Sequence, residues 1–177
     1  TKSSGQTASV SIKTGSSMTP TVNQQLASMK ASLERSVIPA LPAEARFAQE
    51  QAGMIAATLA WLIDVQEFEL RYERQEAADY YQLLADLAEI DGVEIAGELL
   101  STPLLSADNS LAEIRKQSRE LKQAAIAAAI KLDGRADAKL LAVAQRQSER
   151  EQAWFRMTGF TSSPAPGGIA DVIGARA

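Results

Sequence analysis

A chain of 177 residues, 46% hydrophobic and 23% charged, is the right size for one globular domain with a real core. Cysteine and histidine are both absent, which excludes disulfides, Cys- or His-based zinc sites, haem on histidine and every Ser–His or Cys–His nucleophile. The net charge of −4 gives no reason to expect nucleic acid as a partner, and 32 alanines against 5% aromatics lean the chain toward close-packed helices.

In chain order, "TKSSGQTASVSIKTGSSMTP" is rich in Ser, Thr and Gly and lacks the apolar stretch of a secretory signal. Residues 1–18 read as an arm. Within it Val10 and Ile12 alternate with polar neighbours, as a short strand docked on another surface or subunit would. Thr19-Pro20 reads as a helix start, a capping hydroxyl followed by proline in the first turn. Leu26, Met29, Leu33 and Val37 then recur at helical spacing until Pro39 interrupts, and Pro42 suits the first turn of the next helix.

From Ala43 to about Ile90 only Gly53 weakens a helix. Met54, Thr58, Trp61, Val65, Phe68 and Tyr72 repeat at alternating helical spacings, and Ile55, Leu59 and Leu62 widen the stripe. Such a stripe needs a partner helix along its whole length. Gln75, Glu76 and Asp79 interrupt it before Tyr80, Leu83, Leu84 and Leu87, so the expectation is one very long helix or a bend within 74–79. The longest apolar run, Gly53 to Ile63, is about half the roughly 20 residues a bilayer requires.

Asp91-Gly92 reads as a turn before a short helix. "STPLLSADNS" reads as a loop in which Asp108 or Asn109 caps a helix. That helix turns Leu111, Ile114, Ser118, Leu121, Ala125 and Leu132 inward and stops at Asp133-Gly134. Asp137 opens another, with Leu140, Val143, Ala144, Gln147 and Trp154 on one face and Gly159 as its stop. "SSPAPGG" is a spacer, and "IADVI" beyond it a small apolar clip. The fold expected is all-α: a bundle of about five helices over 19–159 with one long central helix, between an arm (1–18) and a tail (160–177).

The stretch "WLIDVQEFELRYERQEAADYY", Trp61 to Tyr81, carries six carboxylates. Asp64, Glu67, Arg71 and Arg74 share one side of a helix, and Glu69, Glu73 and Glu76 form a second row. Clustered carboxylates bind hard cations and raise each other's pKa, which makes Asp64, Glu67 and Glu73 candidates for a divalent-cation site or an acid/base pair. Against this stands a solvated face laced with ion pairs, the weightier reading because both rows flank the apolar stripe. Trp61, Phe68 and Tyr72 are core residues or a partner interface.

No phosphate-cradling glycine loop is present, and no cofactor is implied. Residues 64–98 hold eleven acids and two bases, while 110–156 hold ten bases and six acids. Arg115, Lys116, Arg119 and Lys122 therefore form either a face complementary to the acidic helix or an anion site for a nucleotide or acyl-CoA.

The segment "LERSVIPALPAEARFAQEQAGMIAATLAWLIDVQEFEL", Leu33 to Leu70, has an apolar-x-Pro-x-Leu break at Val37–Leu41. A long Ala-rich helix follows, with Phe47 at its start and Glu67 late in it. In this it resembles a bacterial family of small helical proteins of unknown function, often encoded beside aminoglycoside-phosphotransferase-like kinases and acyl-CoA dehydrogenases. The family commonly shows Arg-Glu where this chain has Gln66-Glu67, the likeness covers under a quarter of the chain, and it implies no catalytic residue. The functional expectation is a non-catalytic, cytoplasmic helical accessory protein that self-associates or binds a protein partner. The alternatives are a carboxylate-based, cation-dependent enzyme and an anion-binding module.

Overall fold

The computed structural model describes residues 19–90, 97–158 and 167–174, and among them there are helices and no strands. Helix α1 (Val22–Ser32) is capped by Thr21 and not by Thr19: Thr21 Oγ1 accepts from the Gln24 amide, and Gln24 Oε1 accepts from the Thr21 amide. This reciprocal T-x-x-Q arrangement satisfies two otherwise orphaned donors. A π-helical turn (Leu33–Val37) and α2 (Ile38–Ala40) continue the same rod. Pro39 explains the widened turn. Its ring cannot sit over the carbonyl four residues back and it has no N–H to offer, so Ile38 bonds instead to Leu33, five residues back.

After a tight turn, α3 (Arg46–Val65), a single 3₁₀ turn (Gln66–Phe68) and α4 (Glu69–Ala88) form one rod, about 60 Å long at about 1.5 Å per residue. The bend expected within 74–79 is absent. Tyr72, Glu76, Asp79 and Leu83 keep the spacing of the stripe, so the polar residues change its chemistry without breaking its register. The irregularity falls at 66–68, where the C-terminal helix packs.

Helix α5 (Gly97–Ser101) is short. Helix α6 (Leu111–Leu132) is capped by Ser110 with Glu113 in a reciprocal box, not by Asp108 or Asn109; Asn109 instead accepts from the Ser106 amide inside the loop. Asp133 (φ 45°) and Gly134 (φ 83°) take left-handed conformations that reverse the chain. Helix α7 (Asp137–Trp154) ends five residues before Gly159, and α8 (Ile169–Gly174) follows.

α4, α6 and α7 form a three-helix bundle, with α4 and α6 most closely packed. Its core is Leu83, Leu84 and Leu87 against Leu121, Leu132 and Val143, with Ala77, Ala125 and Ala128 allowing close approach. The clip expected at "IADVI" docks: Ile169 and Ile173 are each 1% exposed, packed with Ala153, Phe68, Tyr72 and Trp154.

The α1–α3 hairpin stands apart from this core. α1 buries no residue, and α3 buries Ala52, Ala56, Leu59 and Val65. Met29, Val37, Met54, Ile55 and Thr58, expected inward, are exposed, as is Ala144 on α7. The strand reading of Val10 and Ile12, the Asp91-Gly92 turn and the Gly159 stop lie outside the described residues. No helix among the described residues is long and apolar enough to cross a membrane.

Candidate interaction site

The acidic rows of α4 meet the bases of α6 and α7. Glu69 and Glu73 receive the Arg115 guanidinium at 2.5 and 2.9 Å, and this pairing, Glu73 foremost, pushes the Arg115 pKa up. Asp79 takes Arg146 Nε on one oxygen at 2.9 Å and Arg150 on the other. Arg150 is 1% exposed, yet its Nε has no hydrogen-bond partner. Glu76 accepts from Ser118 at 3.3 Å and Gln147 at 3.4 Å, and Gln147 in turn accepts from the Tyr80 hydroxyl at 2.8 Å. Each of the three helices thus contributes polar side chains to one layer across the bundle. Setting register is the best-attested role for buried polar groups of this kind.

The cation candidates are not brought together. Asp64 binds Arg156 through both oxygens, at 2.7 and 3.0 Å; Glu67 accepts from Asn23 at 3.5 Å; Glu73 belongs to Arg115. Among the described residues no three acids gather where they could hold a metal ion. The four bases of α6 also diverge. Arg115 and Lys122 face α4, Lys122 lying 3.9 Å from Glu76 and 5.4 Å from the centre of the Tyr80 ring. Lys116 pairs with Glu120 along the exposed side of its own helix at 3.9 Å, and Arg119 is exposed. The charge asymmetry of the sequence is thus largely complementarity within the chain.

Trp61, Phe68 and Tyr72 pack on the chain's own C-terminal segment. Trp61 donates Nε1 to the Trp154 carbonyl at 2.8 Å and stacks on Phe155 with centroids 5.8 Å apart. Tyr72 tilts against Trp154 at 4.6 Å, and Phe68 lies against the α8 isoleucines. Burial, then Glu76 and Glu151, push the Tyr72 hydroxyl up to about 12.

The Met54–Tyr72 line of the rod is therefore covered from Trp61 onward, while Met54 and Thr58 before it are bare. Phe47 is 74% exposed, Met54 55% and Ile55 54%. Met54, Ala57, Thr58 and Trp61, with Phe155 and Thr158, line a surface cavity of about 330 Å³. At 3.6 residues per turn, Phe47, Met54 and Trp61 project within about 40° of one another, on the side of α3 away from Ala52, Ala56 and Leu59.

Phe47 was legible at the helix start but not as an exposed side chain, because spacing marks an apolar face without saying whether anything covers it. Arg150 was missed altogether. The signal was there: Val143, Gln147, Arg150 and Trp154 follow one another at helical spacing, so the arginine had to share the inward face. Comparison of the chain with protein-family models, with curated proteins and with solved structures returns no match.

Proposed function

We propose that this chain is a non-catalytic helical interaction protein whose N-terminal hairpin offers the bare face of α3 to another helical surface. The observation that carries the reading is the exposure of Phe47, Met54 and Ala57 along one face of a helix whose opposite side is already occupied by α1. Isolated surface apolar residues need no explanation, but a row of them ending in a cavity is what an interaction site presents. The rest of the molecule supports it. The polar layer joins helices, and its carboxylates are directed at the chain's own bases and hydrogen-bond donors.

The test is a comparison of two baits, wild type and Phe47→Asp. Phe47 is largely exposed, so the substitution should leave helicity and melting temperature unchanged. The wild type should self-associate or retain a partner from a lysate of its source, and the variant should do neither. If both baits behave identically in both assays, the hairpin face is not an interaction site.

A further inference from the structure

Resting on the interaction reading, we infer that the occupant of the bare α3 face is a second copy of this chain, running antiparallel about a two-fold axis. Met54, Ala57, Thr58 and Trp61 stand at positions i, i+3, i+4 and i+7 of one helix, the four-residue hole into which a facing helix inserts one side chain. The cavity they line, backed by Phe155 and Thr158, has a volume of about 330 Å³, room for an aromatic ring. Phe47 projects from the same face seven residues before Met54 and is 74% exposed. A knob and its hole on one face are what an isologous contact requires, since each copy then fills the other's cavity in a single symmetric act.

Register and charge fix the direction. With Phe47 of one copy set between Ala57 and Thr58 of the other, the two-fold axis falls level with Ala52. Glu50, exposed at the edge of the face, then comes level with Met54 and Ile55 of the second copy. In a parallel pair in register, Glu50 would oppose Glu50 directly, which is repulsive, and Phe47 would meet Phe47 and leave both cavities unfilled. In this register Arg46 of one copy lies level with residues 58–59 of the other, so the antiparallel overlap runs over about 19 Å of helix, which puts the contact at the low end of specific interfaces and makes the dimer one that dilution dissociates.

The absence of cysteine makes the test clean. Phe47→Cys and Thr58→Cys chains are oxidised separately and as a mixture. Each mixed pair keeps one intact Phe47 contact, so the mixture should yield a covalent dimer joining one chain of each kind, and either chain alone should yield little. Light scattering supplies the second measurement: wild type should be dimeric at hundreds of micromolar. Phe47→Asp and Ala57→Trp, which remove the knob and fill the hole, should be monomers with unchanged circular dichroism. A covalent dimer formed mainly by Phe47→Cys alone would overturn the antiparallel arrangement. A wild type that stays monomeric and gives no mixed cross-link would overturn the second-copy inference entirely. Should such a monomer still retain a partner that the Phe47→Asp bait loses, the proposed function survives and only this inference falls.

Discussion

Arg150, 1% exposed on α7, lays its guanidinium against one carboxylate oxygen of Asp79 on α4, while Arg146 holds the other. Breaking such a pair leaves a buried charge without compensation, which costs about 3–5 kcal/mol. Asp79→Ala should therefore lower stability by that amount in urea unfolding. The double variant Asp79→Leu with Arg150→Met should recover much of the loss, because desolvating a pair opposes its attraction. A double variant no more stable than Asp79→Ala would show that the pair itself is strongly favourable.

Tyr72 gives the molecule an alkaline limit. Its hydroxyl is pushed up to about 12, by burial first and the neighbouring glutamates next, against 10.0 in the unfolded chain. The folded state thus holds the proton more tightly. The stabilisation is complete below about pH 10 and is lost as pH rises toward about 12. Thermal melts across this window should fall more steeply for wild type than for Tyr72→Phe. Parallel curves would remove Tyr72 from the explanation.

Asp64, Glu67 and Glu73 lie with three different partners. Asp64→Asn with Glu67→Gln should change stability by at most about 1 kcal/mol, the scale of exposed ion pairs. Neither wild type nor variant should melt higher with Mn²⁺, because a ligand stabilises only the form that binds it. A wild-type shift of several degrees that the variant lacks would reinstate a cation site.

α8 is held by two isoleucines. Ile173→Ala should cost about 2–5 kcal/mol of its docking, and Trp154, which packs beside it, should gain water and shift its emission to the red. An unchanged spectrum would mean that α8 does not protect the aromatic cluster.

How much of this was legible before the structure depended on what kind of information each feature needs. Helix identity is local: alanine content, spacing and the stop at Asp133-Gly134 conveyed it, and the apolar clip at "IADVI" followed from two isoleucines four residues apart. Caps are also local, yet Thr21 and Ser110 were passed over for nearby residues, although their partners Gln24 and Glu113 stand three positions on. The polar layer was misread for a different reason. Glu76 and Asp79 look like an interruption of a stripe until Ser118, Gln147 and Arg150 are known to lie opposite, and that is a property of three helices together. Which part of the long stripe is covered was equally non-local, since it depends on where α7 ends.

The continuous rod from Arg46 to Ala88, with its single 3₁₀ turn, has a consequence for how the hairpin forms. A short isolated helix must pay for nucleation, but α3 grows out of an α4 already fixed by the bundle, so it needs only propagation. α1 has no such inheritance and buries nothing of its own. It lies as a strap along that spine, packed on α3.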